Sequence, residues 1–197
     1  MNRRHACWMA LSCLTLGAGA CASRKEETAP PAPSPQETAA PTAPEAQGNT
    51  MAPPLTCEMS VPPRVKAGSP VELRFKLSNP TSRTLYPLNW HTPLEGLRNN
   101  FLDVTRDGVE IPYQGPMMKR GDPSAEAYVA IAPGASQEAQ IEVSLAYDFT
   151  QPGKYRIAFR GTLMDLVTSP GDVPRKLGQF QPVEVRCPAV ETTITPG

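Results

Sequence analysis

The chain has two histidines, and His5 belongs to its basic start, so His91 is the single imidazole available to a folded domain. A hydrolytic zinc centre uses two or three such ligands and keeps one position open. No H-E-x-x-H occurs, which excludes that centre within one chain. A serine triad would have to be built on His91, but no G-x-S-x-G elbow exposes a nucleophile. His91 also follows the bulky Trp90 in a predicted loop. Met117 and Met118 are soft thioethers of the kind that ligate copper. Neighbours on an extended chain point to opposite sides, and no Cys or His stands close in sequence. No glycine-rich phosphate loop is present. Lys plus Arg and Asp plus Glu number 19 each, so no basic field marks a nucleic-acid partner. The chain is expected to be no enzyme and to hold no cofactor or metal.

Binding is the chemistry that remains. One connection, Trp90-His91-Thr92-Pro93-Leu94-Glu95-Gly96-Leu97, gathers an aromatic ring, a rigid proline and two leucines. A second runs from Tyr113 to Pro123 and mixes apolar with cationic groups in Met117, Met118, Lys119 and Arg120. Aromatic residues, Met and Arg are what interface centres favour. The candidate contact residues are therefore Trp90, His91, Thr92, Pro93, Leu94, Glu95, Tyr113, Met117, Met118, Lys119 and Arg120. Some of them have a structural alternative: Trp90 can plug a core, Tyr113 can close one end of it, and Met117 to Arg120 can serve as anchors of their own loop.

The elements that must position these loops read as strands. Val71, Leu73, Phe75 and Leu77 alternate with polar residues, the period of a half-buried strand. Ile141, Val143 and Leu145 repeat it, as do Tyr155, Ile157 and Phe159. Cys57, Met59 and Val61 are in phase on a first strand, and Val183, Val185 and Cys187 on a last one. Weaker strands are expected at 84–89, 101–106, 109–113 and 126–131. Asp107-Gly108 is a two-residue hairpin signal. Pro133-Gly134 and Pro152-Gly153 suit type II turns. Tyr155 sits where a tyrosine corner would lie. No helical period is evident. The pattern predicts an all-β, immunoglobulin-like antiparallel sandwich, with a closed barrel as competitor. Cys57 and Cys187 bracket it, and an oxidising compartment would join them; two buried free thiols are the alternative.

In front lies a targeting segment. Residues 1–20 read as a lipoprotein signal peptide: a basic start, then an apolar run too short to span a bilayer. Ala18-Gly19-Ala20-Cys21 resembles a bacterial lipobox with Cys21 as the lipidated residue; an ordinary secretory peptide cleaved near Ala20 is the alternative. Residues 21–54 are dominated by Ala, Pro, Thr, Gln and Glu. They hold too little apolar surface to offset ordering entropy and read as a disordered linker. About thirty extended residues at ~3.1 Å each give a reach of ~90 Å. The domain is expected at 55–188, with a flexible tail at 189–197. Ala22 carries no acidic retention signal, so the expected location is the cell envelope, anchored in the outer membrane.

The segments VELRFKLSNPTSRTLYPLNWHTPLEGL, FLDVTRDGVEIPYQGPMMKRGDP, AYVAIAPGAS and IEVSLAYDFTQPGKYRIAFRGTLMD, from about Val71 to Leu166, resemble the pro-domain of deuterolysin-like (aspzincin) zinc metalloendopeptidases. Asn79, residues 90–96 and Tyr113-Gln114-Gly115-Pro116 are the most specific matches. Gly161-Thr162-Leu163-Met164-Asp165 also spells the G-T-x-x-D string that supplies an aspzincin zinc ligand. With no zinc helix beside it, it reads as a coincidence continuing the strand from Tyr155. The resemblance implies a domain that assists or inhibits a zinc endopeptidase. Read as ending at Gly197, the chain carries no peptidase after it, so action in trans is expected: an inhibitor or chaperone of a secreted zinc endopeptidase. The alternative is a structural or adhesive envelope lipoprotein using the sandwich as a binding head.

Overall fold

The computed structural model describes residues 54–197; the expectations for Cys21, the signal peptide and the linker up to residue 53 lie outside them. Twelve strands are found among these residues: β1 (Thr56–Ser60), β2 (Arg64–Lys66), β3 (Glu72–Ser78), β4 (Tyr86–Pro87), β5 (Leu102–Arg106), β6 (Val109–Glu110), β7 (Ser136–Glu142), β8 (Gly153–Phe159), β9 (Thr162–Leu163), β10 (Leu166–Val167), β11 (Val183–Glu184) and β12 (Val190–Thr195). One sheet has the order β1-β3-β7, the other β2-β12-β8-β5-β6, with β4-β10 and β9-β11 as short flanking pairs. Every pairing is antiparallel except β12 with β2. The domain is an all-β, immunoglobulin-like sandwich. No helix among the described residues is long and apolar enough to cross a membrane.

The alternation seen in the sequence builds the core. Leu73, Phe75 and Leu77 of β3 and Tyr155, Ile157 and Phe159 of β8 are all buried. The Phe75 and Phe159 rings meet across the two sheets at 5.4 Å. Burying side chains of this size contributes about 1.5–3 kcal/mol each, so the two strands anchor the fold. The Tyr155 hydroxyl donates to the Gln151 carbonyl at 2.8 Å, the bond of a tyrosine corner. Asp107 and Gly108 both have positive φ, 50° and 85°, as a primed hairpin turn requires. Cys57 of β1 is joined to Cys187, with Cα atoms 4.7 Å apart and 130 residues between them. Closing a loop of that length stabilises by about 4–5 kcal/mol in the chain-entropy model.

Four expectations need correction. The flexible tail is strand β12, hydrogen-bonded between β2 and β8, because Thr192 and Ile194 alternate inward and are buried. The strand through Ile141, Val143 and Leu145 stops at Glu142. Val143–Leu145 is a 3-10 turn with Leu145 exposed. There the Ser144 hydroxyl donates to Glu142 Oε1 and accepts from the Val71 N–H, so a side chain takes a backbone donor that a continued ladder would pair. Residues 125–127 form another such turn, leaving Tyr128 and Ile131 in isolated bridges. The residues from Gly161 do not continue β8: Gly161 has φ 81° and redirects the chain into β9.

Candidate protein-binding site

The first loop is tightly built. His91 adopts φ 56°, an uncommon conformation for a residue with a side chain, and its N–H donates to Glu95 Oε1 at 2.6 Å. Thr92 is fully buried. Its hydroxyl donates to the Asn89 carbonyl at 2.6 Å and accepts from the Leu94 N–H at 3.2 Å. It thereby caps the 3-10 turn Pro93–Glu95, where Pro93 has no N–H to leave orphaned. Pro93 is buried, and Leu94 packs half-buried against the main core. Trp90 lies in a satellite cluster with Leu88, Tyr128 and Val167 and meets the Phe180 ring edge-on at 6.3 Å.

The second loop is locked onto the first. Arg120 Nη2 pairs with Glu95 Oε2; the Glu95 side chain is 5% exposed and that of Arg120 21%. The Arg120 guanidinium also lies over the Trp90 indole, 4.9 Å from its centroid. The Met118 N–H donates to the Arg98 carbonyl at 3.1 Å, and Asp122 Oδ1 accepts from the Leu177 N–H at 3.0 Å. At the near end, the Gln114 N–H donates to the Ala146 carbonyl at 2.8 Å. The Tyr113 hydroxyl donates to the Pro116 carbonyl at 2.9 Å, and its ring meets Tyr147 edge-on at 5.3 Å. Gly115 passes so close to this ring that a Cβ would stand 2.5 Å from the hydroxyl. What protrudes is Met117, 67% exposed, Met118, 42% exposed, and Lys119.

Electrostatics follow burial. Desolvation pulls the His91 imidazole below its usual range, Glu95 opposing and Arg120 adding to the effect. Burial, with help from Glu95, raises the Tyr113 phenol. Among the described residues no three His, Cys, Asp or Glu side chains gather as metal ligands.

The eleven sequence candidates thus divide. Trp90, Thr92 and Pro93 are interior, as is the Glu95 side chain; His91, Leu94 and Tyr113 are half-buried, and Arg120 is a strut between loops. Met117, Met118 and Lys119 face solvent. One residue of the site stands in the sequence reading only as the end of a chance G-T-x-x-D string. Asp165 is fully buried; it accepts from Tyr128 Oη at 2.8 Å, Arg175 Nη1 at 2.9 Å and the Gln181 N–H at 2.8 Å. A buried carboxylate needs such partners, and these pin residues 175–181 beside the Trp90 cluster. Its signal was an acid set among Leu163, Met164, Leu166 and Val167.

No protein-family model matches the chain. An extracellular protease of Aeromonas hydrophila is 33% identical over 89 residues, which are 45% of this chain and 25% of that protein. The chain therefore spans about a quarter of that relative's length. A CARDB domain from Pyrococcus furiosus, solved in complex with di-metal ions, aligns over 74% of this chain and 96% of its own with 14% identity and a TM-score of 0.32.

Proposed function

We propose that the sandwich is a non-catalytic protein-binding module that acts in trans on a secreted zinc metalloendopeptidase, as its inhibitor or folding chaperone. The observation that carries this reading is the 33% identity with an extracellular protease over 89 residues, on a chain that resembles a protease pro-domain. The locked loops support it with an exposed tip of two methionines and a lysine on a rigid base. Rigid presentation lowers the ordering cost of association. Cys21 would carry a lipid and hold the module in the cell envelope, at the outer membrane, with the linker giving reach.

The test titrates the purified full chain against an active deuterolysin-like endopeptidase, with an unrelated zinc protease as control. Selective, stoichiometric binding is the expected result. Binding to cell-envelope material with no affinity for the endopeptidase would overturn it and favour the adhesive reading.

A further inference from the structure

We infer that Gln114–Arg120 is a substrate-like inhibitory strand that enters an endopeptidase cleft with Met117 in a side-chain pocket and the Met117–Met118 bond where a scissile bond would lie. The inference rests on the module reading above and gives it a mechanism. Between Ile111 and Pro123 the chain forms no strand and no helix, only an irregular path with bends at Gly115 and Asp122. Ordering such a segment costs about 1–2 kcal/mol per residue, and a free loop of this composition would not hold one path. Here the path is held at both flanks. Gln114 bonds to Ala146, and Tyr113 reaches over to Pro116. Met118 bonds to Arg98, and Arg120 is fixed by Glu95 and Trp90.

The anchors are buried or half-buried, and what they hold out is not. Met117 and Met118 are two of the five large apolar side chains left exposed among the described residues. Met is the side chain that adapts to an irregular apolar pocket. A segment held on one path offers its exposed side chains to a cleft with the ordering cost already met within the fold.

The same anchors explain how such a strand would resist its target. Hydrolysis adds water across Met117–Met118. The C–N bond breaks, the Met117 carbonyl carbon gains the water oxygen and becomes a carboxylate, and the Met118 nitrogen gains both water protons and becomes an ammonium group. Neither end is free to leave. Met117 stays tied through Pro116 and Gln114, and Met118 through Arg98 and Arg120. Held side by side, the two ends have a high effective concentration, so recondensation competes with release.

The experiment incubates the full chain with an active deuterolysin-like endopeptidase. It reads inhibition against a quenched peptide substrate, binding by calorimetry, and the cut position by mass spectrometry. The variants are Met117→Asp and, as a control on the exposed β6 hairpin, Val109→Asp. Competitive inhibition is expected, with one slow cut after Met117. Met117→Asp should weaken inhibition about 100-fold, the scale of a hot spot, and Val109→Asp less than about two-fold. Wild-type binding without competition or cut, or equal inhibition by Met117→Asp, overturns the strand and leaves the module reading standing. No binding by the wild type overturns both.

Discussion

Replacing Glu95 by Ala probes the joint on which the site depends. The carboxylate accepts from the His91 N–H and pairs with Arg120, so the substitution strips both donors at once. Removing one partner of a buried ion pair costs about 3–5 kcal/mol. The Arg120 side chain keeps 21% exposure and can recover part of its hydration, which lowers the expected loss to about 2–3 kcal/mol. Arg120 Nε is already buried with no hydrogen-bond partner, so the unpaired guanidinium has little alternative within the fold. The assay is urea unfolding followed by tryptophan fluorescence. Trp90 is the chain's only tryptophan apart from Trp8, and the Arg120 guanidinium rests on its ring. The midpoint should fall with unchanged slope, and the emission should shift red as the guanidinium leaves the indole. Arg120→Met should cost at least as much, since it leaves the Glu95 carboxylate, 5% exposed, without its counter-charge. The double variant should lose less than the sum of the two singles, as coupled neighbours do. A loss below about 0.5 kcal/mol, the level of an ordinary surface change, or strict additivity would refute the view that this pair locks the loops.

Three further outcomes follow from the same geometry. His91 has its pKa lowered from 6.5 by burial, so on acidification the unfolded chain takes up the proton first. Stability should be constant above that value and fall as pH drops through it; His91→Asn keeps a residue that tolerates positive φ and should flatten the urea midpoint between pH 7.5 and 5.5. Burial and the Asp165 hydrogen bond push the Tyr128 phenol to about 12. Stability should then decline between pH 10 and 12, where only the unfolded phenol ionises, and Tyr128→Phe should lessen that decline while costing about 1–3 kcal/mol for the donor lost to Asp165. Ending the chain after Pro188 removes β12 from between β2 and β8; circular dichroism should show loss of the cooperative transition, whereas a mere tail would leave it unchanged.

The strands that anchor the core were legible because their burial is one-sided. Val71 to Leu77 and Tyr155 to Phe159 alternate strictly, and a period of two leaves little choice of face. The β12 strand obeys the same rule, but Val190, Thr192 and Ile194 alternate among threonines ahead of Pro196-Gly197. Composition there pointed to a tail, and the pairing with β2 and β8 that orders it is non-local. Ser144 shows the same limit from the other side: Ile141, Val143 and Leu145 keep the period, yet the ladder ends after Glu142, where the Ser144 hydroxyl accepts from the Val71 N–H, 73 residues away. Periodicity records where side chains prefer to lie and not where a ladder ends.

The site was legible as two loops and illegible as one structure. Residue types mark Trp90, Arg120 and the methionines as interface-like, but the same types serve an internal joint. What separates the roles is the pairing of Glu95 with Arg120, 25 residues apart, which no local signal announces. Once that pair forms, Arg120 is spent on Glu95 and Trp90, Thr92 on Asn89 and Leu94, and their polar groups are no longer free for a partner. The side chains left over, Met117, Met118 and Lys119, lie between the anchors. A loop held only at Ile111 and Pro123 would have to lose its freedom on binding, whereas one held at Gln114, Met118 and Arg120 as well has lost most of it beforehand. On the proposed binding reading, the interior residues of the two loops bear on affinity through the shape of the tip, and substitutions among them should act on affinity and stability together.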